Sequence, residues 1–377
     1  MQALDIYFQY PIELETGKGC VLKDTEGKEY IDFYSGHGVI SIGHGHPEFV
    51  NALTLQLNKL AFYTNAFKNS LQDELATLLG ESCGYKGYNL FLSNSGAEAN
   101  ENALKIASFY TGRSKVLAIK GAFHGRSAGA VAITDNKSIQ PAFGSEMQVD
   151  FIDFNDLEAL KTQLNSKAYA AFIVEGIQGV NGVWEGNTNF WAEARLLCTQ
   201  NGTVLIADEI QSGYGRTGKF FAHQWHNVKA DIVTTAKGMG NGFPVAGTIS
   251  APELKLEKGK LGTTFGGGQL ACAAGISVLK AIKNENLEAN AAKVGEYLMS
   301  ELIKMQGIKA VRGRGLMIGI EFLAEGKKVR QQLLDDYGFI TGSSNPDILR
   351  LLPPLSVSMR EAELFIEALT SVLKKMG

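Results

Sequence analysis

Between about residues 90 and 250 the chain repeats one hydrophobic pattern. Short, apolar, largely β-branched runs fall at Leu90–Leu92, Val116–Ile119, Ala130–Thr134, Ala170–Val174, Val204–Ala207, Ile232–Thr235 and Val245–Ser250. Apolar residues return every third or fourth position near 70–80, 97–110, 156–165 and 189–201, the period of a helix with one buried face. This alternation predicts an α/β fold, a seven-stranded and mostly parallel sheet covered on both sides. Polar–apolar alternation with turn glycines near residues 12–34 predicts a small antiparallel piece ahead of it. After residue 265 the pattern lengthens into helices, with one strand at Leu316–Phe322 and an amphipathic last helix at Arg360–Lys375. The expected organisation is a large domain, residues 51–275, and a small α+β domain built from residues 1–50 and 276–377.

Composition narrows the picture. The 377 residues are 45% apolar, enough for a full core. A net charge of −3 gives no electrostatic case for nucleic acid or an anionic membrane. No apolar stretch reaches the roughly 18 residues of a membrane span, and Met1-Gln-Ala-Leu-Asp-Ile does not read as a signal peptide, so a cytoplasmic location is expected. Cys20, Cys83, Cys198 and Cys272 lie far apart, and the histidines lack ligand spacing, so neither a disulfide framework nor a metal site is expected.

The chemistry gathers around Lys237. It ends the segment Asp231-Ile-Val-Thr-Thr-Ala-Lys237, and a glycine-rich loop follows at once. Another apolar segment ends in Asp208-Glu209-Ile210-Gln211. A lysine and an acid at two strand ends suit an aldehyde cofactor with a basic ring nitrogen: the lysine can form a Schiff base, and the acid can keep the nitrogen protonated. A solvated lysine and a turn-capping Asp208 would read the same way locally. Ser95 and Gly96 should start a helix, where free N–H groups favour a phosphate, although Ser95 with Glu98 also reads as a plain capping box. The turn is not GxGxxG, which disfavours a dinucleotide site. Phe123 and Arg126 sit in Gly121-Ala-Phe-His-Gly-Arg126, where the ring could stack on a flat cofactor and the guanidinium could fork onto a carboxylate. Thr263 and Thr264 offer hydroxyls in a flexible loop, and Arg350 lies in an apolar setting that needs an anion.

Taken in order, these segments resemble the class III aminotransferases among fold-type I pyridoxal-phosphate enzymes, and within them the acetylornithine aminotransferase branch. The likeness runs from Gly27-Lys-Glu-Tyr-Ile-Asp-Phe33 and Gly43-His-Gly-His-Pro47 to the Arg350 segment. It implies pyridoxal 5′-phosphate as cofactor. The implied reaction passes the δ-amino group of an N-acylornithine, acetyl or succinyl, to 2-oxoglutarate, in arginine and ornithine metabolism. Lys237 corresponds to the Schiff-base lysine and Asp208 to the partner of the ring nitrogen. Gln211 corresponds to the O3′ contact, Phe123 to the stacked aromatic, and Ser95, Gly96 and Ala97 to the phosphate turn. Thr264, beside Thr263, corresponds to a threonine that reaches the neighbouring subunit's phosphate, which implies a homodimer with shared sites. Arg126 and Arg350 correspond to the arginines for the distal and α-carboxylates. Ornithine or 4-aminobutyrate transamination is the alternative reading, and a catalytically silent cofactor-binding scaffold a remoter one.

The chain departs from the family at four places. Gly176 and Val180 stand where the family usually has proline and glutamate in Glu175-Gly-Ile-Gln-Gly-Val-Asn-Gly-Val183. His37 replaces an aliphatic residue, and Gly268-Gln269-Leu270 replaces Asn-Pro-Leu. Without that glutamate, Arg350 is expected to turn to solvent, Asn181 or another carboxylate. A more polar pocket could favour a succinyl group.

Overall fold

A computed structural model describes residues 1–143, 146–323 and 325–376. Seven strands form the central sheet, in the spatial order Asn89–Ser93, Ala246–Ser250, Ile232–Thr235, Val204–Asp208, Tyr169–Glu175, Lys115–Ile119, Val149–Ile152. Ala246–Ser250 runs antiparallel to both of its neighbours; every other pairing is parallel. Side chains alternate across this sheet as a two-residue period requires. Ala171, Ile173, Val204, Ile206 and Ile232 pack into a cluster on one face. Phe172, Val174, Leu205, Ala207 and Val233 enter the larger core on the other. Every residue of Tyr169–Glu175 is buried, as expected of a strand covered on both faces.

Helices Ser70–Cys83, Gly96–Thr111, Leu157–Asn165 and Thr188–Asn201 occupy the four helical stretches read from the sequence. One strand does not form where it was expected. Ala130–Thr134 lies largely within a short helix, Ala128–Ala132. The Glu101 carboxylate caps its start, accepting from Ala130 N–H at 3.0 Å and from the Ser127 hydroxyl at 2.7 Å. A short apolar run carries too little periodicity to separate buried helix from buried strand. The seventh strand is instead Val149–Ile152.

Two four-stranded sheets flank this body. Leu14–Lys18, Val21–Asp24 and Glu29–Asp32 form the antiparallel piece expected near the start, and Phe339–Ile340 joins it in parallel. Ile308–Arg314, Met317–Phe322, Ile348–Leu351 and Gly342–Asn345 form the other, which is antiparallel throughout. Helices Gln269–Asn284, Leu287–Leu302, Gly326–Tyr337 and Met359–Met376 account for the long helical patterns. Helix Pro47–Lys59 buries none of its residues and leaves Val50, Leu55 and Leu57 exposed. Among the described residues no helix is long and apolar enough to cross a membrane, and no cluster of His, Cys, Asp and Glu could hold a metal ion.

Candidate active site

Parallel strands present their C-terminal ends together, and loops leaving those ends form the usual ligand crevice of an open α/β sheet. Here Glu175 pairs in register with Asp208, and Asp208 with Thr234. Lys237 follows two residues after Ile232–Thr235 and takes a left-handed backbone, φ 37°. That turn directs the chain away from the sheet beside a cavity of about 280 Å³. Ser95, Gly96, Ala97, Phe123, Asp208, Gln211 and Lys237 all line it, as do Glu175, His124 and Val180. Seven of the eleven residues predicted for the site thus meet around one space.

Each wall has a local cause. Ser95 caps helix Gly96–Thr111, accepting the Glu98 N–H at 3.2 Å. The Glu98 carboxylate turns back onto the Asn94 N–H at 2.9 Å. The capping reading and the ligand reading of this turn are therefore compatible. Gly96 and Ala97 carry first-turn N–H groups that no helix carbonyl can reach. A Cβ on Gly96 would come within 2.8 Å of the Ile210 side chain, so only glycine lets the helix start this close.

Asp208 is buried and held by three donors, with acceptor capacity left on Oδ1. Its Oδ2 accepts from His124 Nδ1 at 2.6 Å and Asn100 Nδ2 at 2.8 Å, and its Oδ1 accepts from Ile210 N–H at 3.0 Å. Asn100 also donates to the His124 carbonyl at 2.8 Å and accepts from the Thr234 hydroxyl at 2.7 Å. His124 Nε2 is buried without a partner among the described residues. Burial depresses the Lys237 amine below its ordinary range and outweighs the opposing pull of Asp208 and Glu175; Arg350 adds to the depression. Glu175 is pushed up to about 7, chiefly by burial and further by Asp208, against His124 and two backbone N–H donors.

The remaining predicted residues lie outside this lining. Arg126 is exposed, with its guanidinium carbon 5.9 Å from the Phe123 ring centre. Thr263 accepts from Gly266 N–H at 3.1 Å and from Asn94 Nδ2 at 3.4 Å, while Thr264 is exposed. Arg350, on Ile348–Leu351, is buried and donates to the Ser343 carbonyl at 3.1 Å, the Gly179 carbonyl at 2.8 Å, Gln211 Oε1 at 3.5 Å and the Tyr34 hydroxyl at 3.3 Å. Asn181 does not meet it; its amide donates to Gln178 Oε1 at 3.4 Å. His37 stands in a left-handed turn, φ 69°, with its Nδ1 bonded to the Tyr34 hydroxyl and its carbonyl to Gln211 Nε2.

The donor set fits pyridoxal phosphate. An acid for a protonated ring nitrogen, free N–H groups at a helix start, a flat aromatic and a half-buried amine face one cavity of the right order of size. Sequence reasoning gave no role to Asn100, His124, Glu175 or Tyr34. Asn100 had left a signal, a polar side chain within the buried stripe Ala99, Ala103, Ala107.

A family model described as aminotransferase class-III matches residues 7–373. The acetylornithine aminotransferase of Bacillus anthracis is 40% identical over 365 residues, 95% of this chain and 93% of its own. That of Methanosarcina mazei is 36% identical over 371 residues, 97% and 93% of the two chains. Among solved structures, the ornithine aminotransferase from Toxoplasma gondii superposes with a TM-score of 0.92 at 30% identity, covering 99% of this chain and 93% of that one. The acetylornithine aminotransferase from Elizabethkingia anophelis gives 0.88 at 30% identity, covering 99% and 96%.

Proposed function

The chain belongs to the class III aminotransferases, and from that premise we propose that it passes the δ-amino group of an N-acylornithine to 2-oxoglutarate. It is a pyridoxal-phosphate enzyme. The observation that carries the reaction class is the half-buried Lys237 amine sharing one cavity with the strand-end carboxylate of Asp208. The choice of an acylornithine rests on the curated relatives at 36–40% identity over nearly the whole chain.

When bound, the cofactor supplies a carbonyl for amine exchange and a protonated ring that accepts the electron pair left on the substrate carbon. The protein's own groups do the rest. Lys237 Nζ, its proton affinity lowered by burial, is the group that would take the proton from the δ-carbon and pass it on. Asp208, oriented by Asn100 and His124, would keep the ring nitrogen protonated. The N–H groups of Ser95, Gly96 and Ala97 would hold the phosphate, Phe123 would cover the ring and Gln211 would meet its phenolic oxygen. Arg350 takes the carboxylate next to the reacting carbon of 2-oxoglutarate, and Arg126 takes the distal one.

The same reading divides the molecule into a cofactor-binding domain, residues 51–275, and a smaller one from 1–50 and 276–377. Lys237 and Asp208 come from the first, Arg350 and His37 from the second. It also makes the protein a homodimer in which Thr263 and Thr264 complete the partner's phosphate site. Support comes from the exposed apolar side chains Val50, Leu55 and Leu57, and from Phe62 and Phe265 beside the threonines.

The test is spectroscopic. The cofactor-loaded protein is mixed with N-acetylornithine, N-succinylornithine, ornithine or 4-aminobutyrate, without oxo acid. Rapid bleaching of the yellow cofactor by one acylornithine is expected and names the acyl group. Bleaching only by ornithine or 4-aminobutyrate would move the enzyme to that branch.

A further inference from the structure

Arg350 poses a charge problem. It is 4% exposed, and its four acceptors are all neutral. No carboxylate pairs with it among the described residues. A guanidinium taken out of water and given only dipoles is poorly compensated. Negative charge has to arrive with a ligand or act from further off.

Gly179 connects it to such a charge. The Gly179 carbonyl accepts from Arg350 Nη1 at 2.8 Å, while its N–H donates to Glu175 Oε2 at 3.1 Å. The second oxygen, Oε1, accepts from Phe123 N–H at 3.0 Å. Glu175 is 6% exposed and lines the cavity. A Cβ on Gly179 would fall 1.7 Å from Gln211 Oε1, so glycine is required for Gln211 to reach in beside Arg350. Among the described residues the carboxylate pairs with no cationic side chain, and these two N–H groups are the donors that hold it. Arg350 responds to it, since burial lowers the guanidinium's proton affinity while Tyr34 and Glu175 act the other way.

We propose that Glu175 is a specificity-determining positioning residue, the carboxylate that balances Arg350 when the ligand brings none, and that it acts through Gly179 and not by direct contact. This rests on the reading of Arg350 as a carboxylate site. A ligand carboxylate at Arg350 competes with Glu175 for one cation. An amine donor whose reacting end is uncharged relies on Glu175 to keep that cation compensated. Removing the charge therefore moves the two ligands in opposite directions, whereas a purely structural role would weaken both.

The experiment uses cofactor-loaded wild type, Glu175→Gln and Glu175→Asp at about pH 8.5, above the value of about 7 to which burial pushes the Glu175 carboxyl, so that wild type carries the charge. Glutarate, an unreactive dicarboxylate, is titrated against the visible band; the half-saturating concentration of the acylornithine is read from bleaching in single turnovers. Glu175→Gln keeps an acceptor and loses the charge, so glutarate should bind about tenfold more tightly and the acylornithine about tenfold more weakly, the scale of one unit charge at protein distances. Glu175→Asp keeps the charge and should stay within about threefold of wild type for glutarate. Val180→Glu, at the residue after Gly179, adds a competing carboxylate and should weaken glutarate binding even if Glu175→Gln proves too unstable to load. Glutarate binding unchanged or weaker in Glu175→Gln overturns the proposal. Unchanged glutarate binding in Val180→Glu does so too. If glutamate bleaches wild type and no acylornithine does, the substrate reading fails while the glutarate comparison still decides the role of Glu175.

Discussion

Asn100→Ala removes three buried hydrogen bonds at once. The side chain donates to Asp208 Oδ2 and to the His124 carbonyl, both at 2.8 Å, and accepts from the Thr234 hydroxyl at 2.7 Å. Losing a bond to a charged carboxylate costs about 2 kcal/mol, and each neutral buried group left unpaired about 1 kcal/mol or more. Alanine returns about 0.5 kcal/mol through better helix propensity within Gly96–Thr111. The net loss is about 3–4 kcal/mol, partly offset in Asp208 by His124 and Ile210, which remain. For a chain of this length that is a fall of about 4–5 °C in the thermal midpoint. Thermal unfolding of the cofactor-loaded protein, monitored at the visible band and by far-ultraviolet circular dichroism, reads it. Cofactor affinity should fall as well, because Asp208 is less firmly held. A midpoint within about 2 °C of wild type, with unchanged cofactor affinity, would refute the argument that Asn100 supports the Asp208 carboxylate.

Two further outcomes are expected. Lys237→Ala should lower turnover by at least about a thousandfold, within the range of a lost general base, yet still show cofactor absorbance at raised pyridoxal-phosphate concentration; near-normal turnover would remove Lys237 from the mechanism. Glu175 sets a pH dependence. Burial raises it from 4.5 to about 7, against the charges of His124, Lys237 and Arg350 and together with Asp208. The folded protein therefore keeps a proton that the unfolded chain releases, a contribution complete below about pH 4.5 and lost as pH rises through about 7. Relative to Glu175→Gln, wild type should lose stability between about pH 5 and 8, as followed by midpoints in matched buffers; parallel curves would refute it.

The sequence made most of the central sheet legible because buried parallel strands write themselves as dense β-branched runs. Ala130–Thr134 reads as a strand for the same reason: four apolar residues and a threonine are too short a run to show a period, and the Glu101 cap that turns them helical comes from another segment. Val149–Ile152 stayed hidden because Asp150 interrupts it. Helix Pro47–Lys59 escaped notice, although Pro47 marks its first turn. In the site, Lys237, Asp208 and the Ser95–Ala97 turn announce themselves by position at element ends. Asn100 and Tyr34 act through partners 108 and 316 residues away in the chain, and no local pattern encodes such a distance. Glu175 sits at a strand end as Asp208 does, and the parallel register that places the two side by side exists only once the sheet is assembled.

That register also governs how this enzyme could change. Glu175, Asp208 and Thr234 stand in adjacent strands locked by backbone hydrogen bonds, where a slip of one residue would turn every side chain to the opposite face. Insertions and deletions there are closed to drift and to laboratory evolution alike. His37 and Arg350 reach the same neighbourhood from a left-handed turn and from a strand of a separate sheet. Their surroundings can be rewritten without touching the rows that hold the reactive groups. On the proposed reading of these residues, partner choice can wander through mutation while the chemistry it feeds stays inherited intact.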